Sequence, residues 1–270
     1  EFEYFIYTVS PNGDFALCID FRELVGGYAY ALWGGEGGPE VQGPSDPFFR
    51  EKSTGIFRID LETGEQKLVV YTYDVAAKDH SPTPEEHHVL THVTFNQSGT
   101  RICFIDKYHL PDGGFMQRLV TAKPDGSDVR VFPGHVTHYC WQSDTEILAY
   151  GKLSPRVMNL RNKGIFQNPL LKPFLNIARK MRGVLKQKIA GQSYLLFNNT
   201  TQEVKRIAVG CMTEDGHPQF SPDRKWVITD TYPDKNHERA LILYDWEKQK
   251  RINVGKFRSL PEGFPEAWDV

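Results

Sequence analysis

The sequence has few cysteines, no long apolar run and no large excess of charge of either sign. Only 4 of its 270 residues are cysteine, and none has the Cys-x-x-Cys spacing of a zinc or redox site. No apolar run reaches the roughly 18 residues that a membrane-spanning helix needs. With 32 Lys and Arg against 34 Asp and Glu, the chain gives no reason to expect a nucleic-acid partner. We expect a cytoplasmic location, or a periplasmic one if a leader was removed.

The four cysteines are expected to be small core residues rather than a disulfide framework or a zinc site. Cys18, Cys103 and Cys140 lie in apolar, strand-like runs, and Cys211 lies in a connection. Aromatic residues make up 13% of the chain, and the length is sufficient for a substantial core. We therefore predict a single domain over residues 1–270.

One sequence unit occurs four times along the chain. Each copy begins with an apolar segment, enters a turn of the Ser-Pro-Asp-Gly kind, continues with a β-rich run and ends with a second strand pair. The copies begin near Thr8, His92, His138 and His217. Because each copy encodes two hairpins at a period in the forties, the repeats predict an all-β fold of the β-propeller class. A β-sandwich is the alternative, but its strands need not repeat as a unit.

The number of repeats is low for a propeller, because most propellers have more than four blades. The chain stops at Val270, where the innermost strand of a fifth blade is expected to begin. We expect either that the sequence is part of a longer propeller, such as one of seven blades, or that further blades come from elsewhere. Insertions interrupt the period, and one of them, residues 74–91, is expected to be a solvated loop that holds His80, His87 and His88.

Three histidines occupy the same position of the repeat. His92, His138 and His217 each lie four residues before the first turn residue of their copy. The residue that opens a blade's first strand lies at the rim of the central channel, so the three imidazoles are expected to face one another there. Converging imidazoles can bind a divalent metal, or divide the roles of metal ligand and general base. The alternative is that they are structural residues.

Other polar residues recur around the same strands. Gln219 lies on the same side of its strand as His217 by alternation, and Glu214 precedes that strand, so both are candidates for the channel. Aspartates close the first hairpins and arginines open the second; these residues are Asp20, Asp106, Asp230, Arg118 and Arg239. We expect their pairing to brace the blades. The alternative is that an arginine grips a substrate carboxylate.

Four motifs between about residues 88 and 256 carry a resemblance to a known family. They are His92-Val-Thr-Phe, Pro124-Asp-Gly-Ser, His138-Tyr-Cys-Trp and His217-Pro-Gln-Phe-Ser-Pro-Asp. Together with Arg118 they resemble the oligogalacturonate lyase family and its TolB-like propeller relatives. That family is a seven-bladed propeller that cleaves galacturonate oligomers by β-elimination with manganese.

The resemblance implies a role for each candidate residue. His92 is similar to the catalytic base, and Arg118 is similar to the arginine near the substrate carboxylate. The implied ligands of manganese, or of another divalent metal, are His138, His217, Gln219 and Glu214. The implied partner is an acidic oligosaccharide, whose C5 proton the base removes while the C4 oxygen leaves. The alternative is a non-catalytic propeller that binds or scaffolds a partner.

Residues 155–191 form a basic insertion with nine Lys or Arg residues and no acid. Apolar residues recur at helical spacing from Phe174 to Ile189, which predicts an amphipathic helix. Three roles are open: a helix docked on the propeller, a basic lid over an acidic sugar, and a peripheral membrane contact through residues 172–190. The membrane role would link the protein to surface-polysaccharide assembly.

Overall fold

The computed structural model describes residues 6–19, 54–78, 88–109, 115–153 and 191–258. These residues form four antiparallel sheets, and each sheet contains four strands in chain order. The chain divides into two compact units, of which the first holds the first two sheets and the second holds the last two. The single domain predicted over residues 1–270 stays a prediction.

The first unit contains eight strands and a short helix. The strands of its first sheet are β1 (Ile6–Val9), β2 (Phe15–Ile19), β3 (Gly55–Asp60) and β4 (Gln66–Tyr71). Helix α1 (Thr72–Ala77) follows β4. The strands of its second sheet are β5 (His88–Phe95), β6 (Ile102–His109), β7 (Phe115–Ala122) and β8 (Arg130–Val131).

The second unit contains the remaining eight strands. The strands of its first sheet are β9 (His135–Trp141), β10 (Glu146–Lys152), β11 (Gln192–Asn198) and β12 (Val204–Ile207). The strands of its second sheet are β13 (Gln219–Phe220), β14 (Trp226–Asp230), β15 (Glu238–Asp245) and β16 (Lys250–Arg258).

The connectivity makes each sheet a propeller blade. Every strand pairs antiparallel with its neighbour in sequence, so that each sheet is a simple meander. The predicted turn residues join the first and second strands of their sheets: Gly13 and Gly99 have φ values of +80° and +70°, a backbone region that favours glycine. The four sheets coincide with the four sequence repeats, and the predicted β-propeller class is confirmed.

Each unit has a core between its two sheets. In the first unit, buried aliphatic and aromatic side chains of both sheets pack together; they include Leu17, Ile19, Ile56, Leu90, Ile102 and Phe104. In the second unit the corresponding side chains include Cys140, Leu148, Tyr194, Phe220, Val227 and Tyr244. Fully burying side chains of this size contributes roughly 1.5–3 kcal/mol each, so the packing between the two sheets stabilises each unit.

The cysteines behave largely as expected. Cys18, Cys103 and Cys140 are buried, Cys211 is partly buried, and all four are free thiols. Burial raises the pKa of the Cys140 thiol to about 12, so this side chain stays protonated and unreactive at neutral pH.

A buried charged cluster braces the second sheet. Asp106 is fully buried, and its Oδ2 accepts hydrogen bonds from Nε and Nη2 of Arg118 at 2.8 and 2.6 Å. Its Oδ1 lies 2.8 Å from Nδ1 of His88. Arg118 also donates to the carbonyl oxygens of Val75 and Lys78 at 3.2 Å each, which ties α1 to the sheet. The bracing role predicted for Asp106 and Arg118 is confirmed.

The prediction that His88 belongs to a solvated loop is wrong. His88 is the first residue of β5, only 3% exposed, and its ring stacks on Tyr108 at 4.4 Å between centroids. The carboxylate of Asp106 explains this position, because it gives the buried imidazole a strong hydrogen-bond acceptor. His80 and His87 lie outside the described residues.

Other predictions also fall outside the described residues. The amphipathic helix of residues 155–191, of which only Gly191 is described, stays a prediction, as does the membrane contact of residues 172–190. Within the described ranges, no helix is long and apolar enough to span a membrane.

We expect a large loss of stability when one partner of the buried pair Arg118–Asp106 is removed. Arg118→Met leaves the Asp106 carboxylate buried with a single ring partner, and we expect a loss of about 3–5 kcal/mol in the free energy of unfolding. Arg130→Met is the matched control, since that guanidinium binds Asp128 at the surface and contributes at most about 1 kcal/mol. Urea-induced unfolding followed by circular dichroism measures both. Equal losses in the two variants would contradict the bracing role.

Candidate functional site

The second unit brings two of the predicted histidines together. His138 lies in β9, and His217 lies just before β13; these are the first strands of neighbouring sheets. The two imidazole rings are 4.5 Å apart between centroids and inclined by 60°. The sequence-based expectation that repeat-register histidines of successive blades meet therefore holds for this pair.

Each imidazole of the pair is held by its own carboxylate. Nδ1 of His138 lies 3.1 Å from Oδ1 of Asp215, and Nδ1 of His217 lies 2.8 Å from Oδ1 of Asp230. Because an ionised carboxylate only accepts, Nδ1 carries the proton in each neutral ring and Nε2 carries the lone pair. The two rings are thus fixed in both orientation and tautomer.

A β-bulge in β9 explains how His138 reaches its partner. Val136 pairs with Gly151 and His138 pairs with Tyr150, so Thr137 is an extra residue that has no paired residue in β10. Neighbouring side chains of a regular strand point to opposite faces, but a bulge breaks this alternation. Both Thr137 Oγ1, at 2.9 Å, and His138 Nδ1 consequently contact the same oxygen of Asp215.

The connection before β13 fixes the other side of the site. Asp215 Oδ1 also accepts the backbone N–H of Gly216, and Asp230 Oδ1 accepts the backbone N–H of His217, both at 2.9 Å. A Cβ atom at Gly216 would lie 1.9 Å from the carbonyl oxygen of Asp230. Only glycine permits this close approach between the connection and β14, and the approach sets the spacing of the two carboxylates.

Electrostatic contacts keep Asp230 ionised. Burial raises the pKa of its carboxyl, but hydrogen bonds from the ring and the backbone of His217 lower it by more, so the pKa lies below its ordinary value. Arg239 adds to this effect, with Nη1 at 3.5 Å from Oδ2. The bracing predicted for Asp230 and Arg239 is therefore also confirmed.

Tyr232 links the histidine pair to an open cleft. Its hydroxyl lies 3.3 Å from Nε2 of His138, and its ring is 5.9 and 5.8 Å from the rings of His138 and His217. The side chain is 41% exposed. It lines a cleft of about 370 Å³ whose walls are Glu214, Asp215, Thr231, Tyr232, Asp234, Glu238, Ala240, Arg251 and Lys256.

The charged side chains of this cleft are largely paired with one another. Arg251 lies 2.7 Å from Glu214, and Lys256 lies 3.5 Å from Asp234 and 3.6 Å from Glu238. Burial raises the pKa of Glu214, but hydrogen bonds from Arg251 and Thr213 outweigh it, so that the pKa is lowered overall. The carboxylates of Glu214, Asp234 and Glu238 are thus engaged by basic side chains, which makes them poorly available as bases.

The residues predicted to complete the metal shell lie elsewhere in this region. Glu214 binds Arg251, and the next residue, Asp215, contacts His138. Gln219 is exposed in β13, where it pairs with Ile228. Their assignment as ligands stays a prediction.

The described donors do not fit a metal shell. His138 uses Nδ1 for Asp215 and Nε2 for Tyr232, so a metal ion at Nε2 would displace the tyrosine. Protein-bound zinc takes four ligands, and harder cations take six or more. Throughout the part of the chain that the structure describes, no group of three or more His, Cys, Asp or Glu side chains is placed to hold an ion. No reaction step is therefore derived through a metal, and manganese stays a prediction.

The two predicted catalytic residues lie in the first unit. His92 occupies a bulge of β5 with φ at +56°, a left-handed conformation that is uncommon for histidine. Arg118 is buried, and a substrate carboxylate would have to displace its contacts to Asp106 and α1 before binding it. The roles of His92 as base and of Arg118 as substrate ligand stay predictions.

Asp215 and Tyr232 are the site residues that sequence reasoning missed. Both lie near predicted features, since Asp215 directly follows Glu214 and Tyr232 lies two residues after Asp230, which closes a hairpin. The signal for Asp215 was the adjacent Gly216, which permits the tight approach to β14. No repeat position marks Tyr232, because it lies in the β14–β15 connection.

Comparisons with solved structures place the chain beside propeller proteins. Oligogalacturonate lyase in complex with manganese matches with a TM-score of 0.49 and 11% identity, over 93% of this chain and 52% of that one. Acylaminoacyl peptidase in complex with a chloromethyl ketone matches with 0.47 and 12%, over 90% and 31%. The β-propeller domain of the trilobed protease from Pyrococcus furiosus matches with 0.35 and 10%, over 64% and 43%.

The chain thus spans about half or less of the length of these structures. The predicted resemblance to oligogalacturonate lyase and other propeller proteins is confirmed at the level of overall similarity. No protein-family model matches the chain. No curated protein matches it either.

The close approach at Gly216 predicts that an alanine there disrupts the histidine pair. In Gly216→Ala the new methyl group collides with the Asp230 carbonyl, so the carboxylates move and the ring environments change. We expect the ¹⁵N ring signals of His138 and His217 to shift, while that of the exposed His237 stays in place. Gly255→Ala is the matched control, because its Cβ meets only ordinary contacts at 3.5 Å. Unchanged signals in Gly216→Ala would contradict this geometry.

Proposed function

We propose that the protein is a lyase-like propeller that cleaves a uronate oligosaccharide by β-elimination. The observation that carries the proposal is the pair of carboxylate-held imidazoles, His138 and His217, beside the cleft that Tyr232 lines. An acidic oligosaccharide is the corresponding partner.

The expected cytoplasmic location and the expected lack of a nucleic-acid partner stay predictions.

The chemistry of β-elimination matches such a pair. The C5 proton of a uronate is acidified by the neighbouring carboxyl group, and its removal expels the oxygen on C4. The reaction needs a base with a pKa near neutrality and a group that returns a proton. A carboxylate on Nδ1 orients an imidazole and stabilises the imidazolium that forms when the ring takes a proton. Asp215 supplies this carboxylate to His138.

Hydrolysis of the same bond would need a different arrangement. Most glycosidases use two carboxyl groups on opposite sides of the bond, one of them protonated at neutral pH. In the cleft, Glu214, Asp234 and Glu238 are instead bound to basic side chains. Elimination needs no attacking water, so it requires no such carboxyl pair.

An elimination site also needs a positive charge for the substrate carboxylate. Arg239 is the candidate in the second unit, because it borders the histidine pair through Asp230 and its side chain is 37% exposed. A guanidinium can bind a carboxylate through two parallel hydrogen bonds while it keeps a contact with a second acid. This role is proposed for Arg239 rather than for the buried Arg118.

A second candidate function follows from the buried cluster of the first unit. His88, Asp106 and Arg118 repeat the residue types of His217, Asp230 and Arg239, at or just before the first strand and on the second and third strands of a blade, yet they are buried. A set of this composition therefore has a structural use in this fold. It favours a non-catalytic propeller that binds or scaffolds a partner as the alternative.

An elimination assay separates the two functions. Incubation with uronate oligomers is expected to produce the ultraviolet absorbance of a C4–C5 double bond, and His138→Gln is expected to lower kcat about 10²–10⁴-fold because it removes the proton acceptor. His237→Gln, in an exposed turn, is the matched control.

The same assay tests the metal that the resemblance implies. It is run after EDTA treatment and again with added manganese, and a rate restored only by manganese would establish a metal requirement. If no uronate oligomer yields an unsaturated product under either condition, the lyase proposal is overturned and the binding module is supported.

A further inference from the structure

We infer that Tyr232 is the catalytic residue that exchanges protons with the sugar, that His138 stores the displaced proton, and that the substrate is a uronate with its C5 hydrogen and C4 oxygen on one face. The inference rests on the proposed function and specifies its chemistry and its substrate class.

The geometry forms a single line of proton-transfer groups from the protein interior to the cleft. Asp215 holds Nδ1 of His138, and Nε2 of His138 faces the hydroxyl of Tyr232 at 3.3 Å. The His138 side chain is only 14% exposed, and Nε2 of His217 is buried. Tyr232 is the member of this line that is well exposed and lines the cleft, so it is the residue that a bound sugar meets first.

The tautomer of His138 sets the direction of transfer. With Nδ1–H donated to Asp215, Nε2 is an acceptor and the Tyr232 hydroxyl donates to it. Moving the phenol proton to Nε2 leaves a phenolate oxygen as the group that faces the sugar, and the free energy that this transfer costs offsets the greater basicity of a phenolate. The relay therefore extends the proton path from the imidazole, which is only 14% exposed, to the exposed Tyr232.

Tyr232 and His138 together account for every proton that moves in the reaction. As Tyr232 Oη takes the C5 proton, the phenol proton passes to Nε2 of His138, and the C5–H electron pair forms the C4–C5 double bond. The C4–O bond breaks, and its electron pair stays on the leaving oxygen. Tyr232 then gives a proton to that oxygen, and His138 returns its proton to Tyr232. The enzyme ends in its starting state, and no oxidant or further reactant is consumed.

The use of one oxygen atom for both transfers restricts the substrate. A single hydroxyl reaches one face of a bound sugar ring, so the hydrogen on C5 and the oxygen on C4 must share that face. They do so in uronates of the gluco and manno configurations. In galacto-configured uronates they lie on opposite faces, and two separate groups are needed. The relay thus selects glucuronate-type or mannuronate-type chains.

Three substrates test this selection in the wild-type protein. Oligomers of glucuronate, mannuronate and galacturonate are compared at equal concentration by the ultraviolet absorbance of the unsaturated product. We expect at least one of the first two to be cleaved ten-fold faster than oligogalacturonate. Faster cleavage of oligogalacturonate would overturn the inference and leave the lyase proposal intact. No product from any of the three would overturn both.

Tyr232→Phe tests the residue itself, with Tyr71→Phe as the matched control in the first unit. We expect kcat to fall about 10²–10⁴-fold in Tyr232→Phe and KM to change little, because the ring remains and only the hydroxyl is lost. Substrate deuterated at C5 should slow the wild type, which shows that the proton transfer limits the rate. A thermal midpoint close to that of the wild type confirms folding. A kcat within three-fold of the wild type, or a change confined to KM, would overturn the role of Tyr232.

Discussion

The hydrogen bond between an imidazole Nδ1 and an aspartate is the interaction on which the site depends. It decides which ring nitrogen carries the proton and fixes the plane of each ring, and at Asp230 it lowers the pKa of the carboxyl group. Because Asp215 and Asp230 each hold one ring, His138 and His217 can lie 4.5 Å apart as two neutral imidazoles with defined lone pairs. Without these acceptors the two rings would turn, and Tyr232 would lose its partner.

The fold was largely predictable from the sequence, because blades are encoded locally. Turn residues such as Gly13 and Gly99 adopt backbone angles that few other residues tolerate, and they mark the hairpins directly. The alternation of β-branched and polar residues then defines the strands between them. The pairing of His138 with His217 was predictable for the same reason, since equivalent strands of successive blades bring equivalent residues together.

The partners of the histidines were not predictable, because strand alternation fails at a bulge. Thr137 and His138 are neighbours, yet both contact Asp215. The equal spacing to the turn selected His92 in the second sheet, whereas the histidine that binds an aspartate there is His88. A bulge of β5 beside His92 shifts one part of the strand against the other, so counting residues from the turn does not identify the position that faces Asp106.

The tautomeric state of the two rings tests this account most directly. Long-range ¹H–¹⁵N NMR spectra at a pH where the rings are neutral distinguish a proton on Nδ1 from one on Nε2. The account predicts that His138 and His217 are both held as the Nδ1–H form, with the exposed His237 as an internal reference. Nε2–H rings, or a freely exchanging mixture at either position, would contradict the carboxylate-held pair and the proton relay built on it.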